Sequence, residues 1–164
     1  MILVALGSNL VSAQFRTSEE LLAKAIKSLE SQGVEAKRRS SWYRSAPVPP
    51  SDQPWFVNGV IEVATVLEAP DLLALLHEVE AEYGRIRAER NASRTLDLDL
   101  LAYHDQIYNV AGGLVLPHPR LHERAFVLLP LREIASEWRH PVTGRTAGAM
   151  LAELPPGQAV ERIP

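Results

Sequence analysis

The sequence predicts an α+β fold in which helices pack on an antiparallel sheet, and three observations carry that expectation. Strand-like stretches begin near Ile2, Val34, Phe56 and Leu96, whereas the stretches after Thr17 and Pro70 place apolar residues three and four apart. The two patterns follow one another in the order strand, helix, strand, strand, helix, strand. Finally, 46% apolar content in 164 residues is enough to close a core within one compact domain, taken as 1–164.

The first element is "ILVAL", a short apolar run stopped by "GSN", which reads as a buried strand feeding a turn. Thr17-Ser-Glu-Glu20 is a capping box, with the threonine capping a helix and the glutamate reaching back. That helix aligns Leu21, Leu22, Ala25, Ile26 and Leu29 on one side, and Gly33 closes it. From Val34 to Tyr43 the period changes to two, in a strand unusually polar for a sheet centre. Prolines 47, 49, 50 and 54 make "SAPVPPSDQPW" a loop, because each lacks an N–H and fixes its own φ.

A third strand follows from about Phe56 to Val66. Pro70 opens a second helix, where its missing N–H is harmless, and Leu72, Leu76, Val79 and Tyr83 form its stripe as far as about Arg87. Polar "AERNASR" precedes "SRTLDLDLLAY", the fourth strand. A turn-rich stretch then leads to a helix through "VLLPLREIA", and the tail from His140 is short pieces without a clear order. The order β-α-β-β-α-β is that of the ferredoxin-like arrangement, with helices on one face of the sheet and a helical and short-strand C-terminal extension.

Composition excludes several classes. Lys+Arg total 17 against 20 Asp+Glu, the formal charge is -3, and no basic block exceeds "KRR", so nothing argues for a general nucleic-acid binder. The absence of cysteine removes disulfides, thiolate ligands and a Cys nucleophile. No run approaches the roughly 20 apolar residues that span a bilayer, and the N-terminus lacks a basic leader region. The expectation is a cytoplasmic monomer that binds no membrane.

Chemistry concentrates at Asp97 and Asp99. Residues i and i+2 of a strand share a face about 6.6 Å apart, so the two carboxylates pair while Leu96, Leu98 and Leu100 enter the core. Such a pair can hold two Mg²⁺ ions at the spacing of two-metal phosphoryl chemistry. A bare Asp-x-Asp is more often a solvated face. The surroundings alter the balance: Arg85, Arg87, Arg90 and Arg94 lie just upstream, and guanidinium groups beside carboxylate-bound Mg²⁺ suit a polyphosphate. His77 and Glu80 share one side of the second helix, which fits a surface pair equally well. "LPHPRLHERAF" adds His118, Arg120, His122 and Arg124, in a turn bounded by prolines that can supply further anion contacts.

Taken together, "ALGSNL" (5–10), "SSWYRSAPV" (40–48), "DQPWFVNGV" (52–60), "RNASRTLDLDLL" (90–101) and "LPHPRLHERAFVLLPL" (116–131) resemble, in order, the segments of the 6-hydroxymethyl-7,8-dihydropterin pyrophosphokinase (HPPK) family of folate biosynthesis. The resemblance runs from residue 2 to about 137. It implies attack of the pterin's hydroxymethyl oxygen on the β-phosphorus of ATP, giving the pterin pyrophosphate and AMP. It further implies that Asp97 and Asp99 hold two Mg²⁺ ions, that Arg94 contacts the transferring phosphates, and that Arg85 and Arg87 belong to a catalytic loop.

By the same resemblance His77, Glu80, His118 and Arg124 would face the nucleotide. Ser45, Ala46, Val48, Phe56, Asn58 and Phe126 would hold the pterin, an amide pairing with its donor–acceptor edge and the two rings stacking on it. The sequence departs from the family at Asn91, Ala92 and Ser93, where many members carry tryptophan and Gly-Pro, and at Phe56, where tyrosine is frequent. Two other readings are weaker. A nucleotidyl transferase would place its Gly-Ser turn closer to the carboxylates than Gly7-Ser8 stands. An RNA-binding sheet would show aromatics where Asp97 and Asp99 stand.

Overall fold

The computed structural model describes residues 1–9, 15–83 and 96–164. Strand β1 (Ile2–Ser8) is buried along its whole length. Helix α1 (Ser18–Ser31) starts where Thr17 Oγ1 accepts the Glu20 N–H at 3.1 Å. The reciprocal arm of the capping box is shifted by one residue, because Glu20 accepts the N–H of Arg16 rather than that of Thr17. Gly33, at φ 87°, then turns the chain into the next strand through a left-handed conformation that glycine adopts without steric cost.

The polar strand expected between Val34 and Tyr43 is divided into β2 (Glu35–Arg39) and β3 (Tyr43–Ser45), both paired antiparallel with β4 (Phe56–Ala64). Helix α2 (Ala69–Glu82) has proline in its first turn, as expected. After it, β5 (Asp97–Tyr103) pairs with β1. Short strands β6 (Tyr108–Asn109) and β7 (Val115–Leu116) form a small ribbon, and helix α3 (Ala125–Ile134) follows a 3₁₀ turn at Leu121–Glu123. The tail folds as α4 (Ala147–Ala152) and β8 (Val160–Arg162).

The sheet runs β5-β1-β4-β3-β8, with β2 also on β4. This is the expected α+β ferredoxin-like core, with β8 added at its edge. One detail differs from the expectation that helices occupy a single face. Ile2, Val4 and Leu6 pack with α1 and α2 residues such as Leu22, Ile26, Leu72 and Leu76. Leu3, Ala5, Val60 and Leu101 pack with Val127, Leu128, Leu131 and Met150 from α3 and α4. The C-terminal extension therefore covers the second face, and β1 is an apolar run because it is buried from both sides.

Candidate active site

The cross-strand register assembles the site. Gly7 of β1 stands opposite Asp97 on one side and Asn58 on the other, while Ala5 stands between Asp99 and Val60. Directly opposed residues share a face of the sheet. Asp97, Gly7 and Asn58 thus form one row across three strands, and the small residues of β1 leave open the space between the carboxylates and the amide. A Cβ at Gly7 would come within 3.0 Å of Asn58 Oδ1, so the glycine is what lets that amide lie across the row.

This open row is the floor of a cavity of about 450 Å³. Asp97 and Asp99, both half-buried, lie at one end, while their neighbours Leu96, Leu98 and Leu100 are buried, as the alternation required. Arg124 reaches within 3.8 Å of Asp99 Oδ2 and carries its guanidinium 5.6 Å from the Phe126 ring centre. Ser45, Ala46, Val48, Phe56, Asn58 and Phe126, the six positions expected to hold a flat heterocycle, all line the same cavity. Asn58 Nδ2 donates to Ser45 Oγ at 2.7 Å, which fixes the direction of the amide. Phe56 and Phe126 are only partly buried, and Phe126 also packs against the α3/α4 core.

His118 stands at the edge of this group, its Nε2 4.0 Å from Asp99 Oδ2. Its Nδ1 accepts the Arg120 N–H at 3.1 Å, so the ring proton sits on Nε2, facing the carboxylate. Burial, then the charges of Arg124 and Arg120, push the imidazole down to about 4, so it is neutral near pH 7. It faces Asp99 as a neutral N–H dipole rather than as an ion-pair partner.

His77 and Glu80 lie on α2, which packs on the other face of the sheet, and neither lines the cavity. Glu80 is fully buried, and its Oε2 accepts the N–H of Leu98 at 2.9 Å, the amide between the two aspartates. The expectations for Arg85, Arg87 and Arg94, and for the loop at Asn91 to Ser93, lie outside the described residues. Gln158 and Glu123 also line the cavity but were not singled out from the sequence. For Gln158 no periodic or motif signal exists, because its partners are backbone groups far away in the chain.

Among the described residues no cluster of three or more His, Asp or Glu side chains could hold a metal by itself. Two half-buried carboxylates on one strand nevertheless suit Mg²⁺, which keeps several waters and is commonly bound by one or two carboxylates together with substrate phosphates. The donor set therefore fits the expected ion.

Among the described residues no helix is long and apolar enough to cross a membrane. The sequence model of the 7,8-dihydro-6-hydroxymethylpterin-pyrophosphokinase (HPPK) family matches residues 3–136. A relative from Pseudomonas aeruginosa, 2-amino-4-hydroxy-6-hydroxymethyldihydropteridine pyrophosphokinase, is 40% identical over 163 residues, covering 99% of this chain and 96% of its own. The protein of the same name from Synechocystis sp. is 46% identical over 114 residues, covering 70% of this chain and 57% of its own. The folic acid synthesis protein fol1 of Pneumocystis carinii is 37% identical over 143 residues, 87% of this chain but 18% of that protein. The chain thus spans less than two thirds of the latter two relatives and nearly all of the first. With the family match covering all five sequence blocks, and with a cavity that joins their side chains, the chain belongs to the HPPK family.

Proposed function

We propose that the protein transfers pyrophosphate from ATP to the hydroxymethyl group of 6-hydroxymethyl-7,8-dihydropterin, releasing AMP, as a step of folate biosynthesis. The observation that carries this reading is the composition of one cavity. Paired carboxylates and Arg124 stand at one end, and a fixed amide with two partly exposed phenylalanines stands beside them. A charged polyphosphate and a flat, hydrogen-bonding heterocycle are the two ligands such a cavity joins. The names of the relatives, which specify a hydroxymethyldihydropteridine pyrophosphokinase, support the same pair.

In the reaction, a bond forms between the hydroxymethyl oxygen and the β-phosphorus. The bond from that phosphorus to the α,β-bridging oxygen breaks, AMP leaves and the hydroxyl proton is released. Mg²⁺, as two ions held by Asp97 and Asp99, would neutralise phosphate charge. The chain's own work is positional, as suits phosphoryl transfer. Asn58, with its amide fixed by Ser45, orients the ring edge, while Phe56 and Phe126 offer it apolar faces. Arg124 offers a guanidinium to phosphate oxygens, and neutral His118 can donate to them from Nε2. In this reading Arg94 meets the charge developing on the phosphates, Arg85 and Arg87 assist from the preceding segment, and His77 and Glu80 serve the nucleotide from α2. The protein acts as a cytoplasmic monomer of one domain.

The test is a product assay with protein, MgATP and 6-hydroxymethyl-7,8-dihydropterin, in which the adenine nucleotides are resolved. AMP formed only in the presence of the pterin is the expected result. ADP, or pyrophosphate with an adenylated pterin, would replace this reading by a simple kinase or a nucleotidyl transferase.

A further inference from the structure

The two walls of the cavity are tied together by consecutive residues of the C-terminal tail, beyond the last residue of the family match at 136. Gly157, at φ 120°, turns the chain in a conformation that side-chain-bearing residues rarely adopt, and Gln158 follows it. Gln158 Oε1 accepts the Ala125 N–H at 2.9 Å, and Nε2 donates to the Glu123 carbonyl at 2.9 Å. These backbone groups flank Arg124 on either side. Because one partner only donates and the other only accepts, the amide has a single orientation. The next residue reaches the opposite wall, where the Ala159 carbonyl accepts the Ala46 N–H at 3.1 Å and β8 continues along β3.

Helix caps are ordinarily local. Thr17 and Thr146 each cap their own helices through the N–H three residues on. At the start of α3 Arg124 makes no side-chain cap, and the first helical N–H is met instead by Gln158, 33 residues later in the chain. A helix that needed only stability could take a local cap. A distant one fixes where the Arg124–Phe126 segment stands relative to the Ser45–Ala46 segment.

We infer that Gln158 is a positioning residue for the pterin: with Ala159 it sets the separation of the cavity walls and thereby the affinity for the ring. The inference rests on the proposed function. It is distinct from simple capping, because the loss should appear in the pterin's KM rather than only in stability.

The experiment compares the full chain with Gln158→Ala and Gln158→Glu, measuring pterin KM and kcat at saturating MgATP from about pH 5.5 to 8, the range over which a carboxylate beside a carbonyl loses its proton. Gln158→Ala, losing both bonds, should raise the pterin KM about tenfold while kcat changes less than about threefold. Gln158→Glu keeps the acceptor for Ala125. Only its protonated form can donate to the Glu123 carbonyl, so its KM relative to wild type should fall as pH is lowered, whereas the ratio for Gln158→Ala stays flat.

A wild-type pterin KM in folded Gln158→Ala overturns the inference. If Gln158→Ala does not fold, an unvarying KM ratio for Gln158→Glu overturns it instead. Failure of the wild-type protein to make AMP is a separate result, which removes the proposed function and this inference with it.

Discussion

The buried carboxylate of Glu80 accepts the N–H of Leu98 at 2.9 Å, between the two residues, Asp97 and Asp99, whose own carboxylates face the cavity. One acid under the strand thus holds the backbone that presents the two acids above it. Removing the acceptor leaves a buried N–H unsatisfied. Glu80→Ala is expected to cost about 1–3 kcal/mol of stability and to raise the Mg²⁺ concentration required for half-maximal activity. Glu80→Gln keeps a carbonyl acceptor and should lose less in both respects. Urea unfolding and Mg²⁺ titration of turnover check the two effects separately.

Asp97→Asn and Asp99→Asn preserve side-chain shape while removing the charge that attracts a divalent cation. Each is expected to lower turnover about a hundredfold or more, with a melting temperature near that of wild type, since both side chains are partly exposed. Near-normal turnover in either variant would remove the metal pair from the reading.

Two histidines are held neutral by the fold. His118 is pushed down to about 4, first by burial and then by Arg124 and Arg120. His140 is also lowered, chiefly by burial and then by His122, and its Nδ1 accepts the N–H groups of Val142 and Thr143 at 3.2 and 3.3 Å. Both fall below the ordinary histidine value of about 6.5, so the unfolded chain binds more protons than the folded one in this window. Their contribution is complete above that value and is lost as pH falls through the lowered values, for His118 toward about 4. The melting temperature in Mg²⁺-free buffer should therefore decline from pH 7 to pH 5. His140→Asn should flatten part of that slope, and an unchanged slope would count against His140.

Gly59 lines the cavity and supports the aromatic beneath it. A Cβ there would stand 2.6 Å from Cζ3 and 2.7 Å from Cε3 of Trp42, which packs against the α1/α2 core. Gly59→Ala must displace the indole, at a cost of about 1–3 kcal/mol. Denaturant unfolding reads the cost, and the near-ultraviolet circular dichroism of the tryptophans reads the displacement.

Much of this architecture is written locally. The Thr17 cap, the stripe from Leu21 to Leu29 and Pro70 are signals complete within one turn of chain, and α1 and α2 follow them. The Asp97/Asp99 alternation likewise required nothing distant. The break between β2 and β3 was hidden because side-chain alternation continues in the sequence through Ser40 and Trp42 even where the backbone leaves the ladder. The tail was opaque for another reason: a six-residue helix and a three-residue strand are too short to show a period. The covered second face did leave a trace, since "ILVAL" has no polar alternate and so has no side for water. The spacing of His77 and Glu80 fits a surface pair equally well, yet Glu80 is buried against a strand amide, because helical spacing shows which face a residue occupies but not what waits across it.

Strand β1 sends Ile2, Val4 and Leu6 into one core and Leu3 and Ala5 into the other. It is a party wall, and neither compartment can be dismantled while its neighbour keeps that wall intact. Heat should therefore take both compartments down together, with the calorimetric enthalpy matching the van't Hoff value, and a substitution such as Val4→Ala should be felt by probes on either side of the sheet.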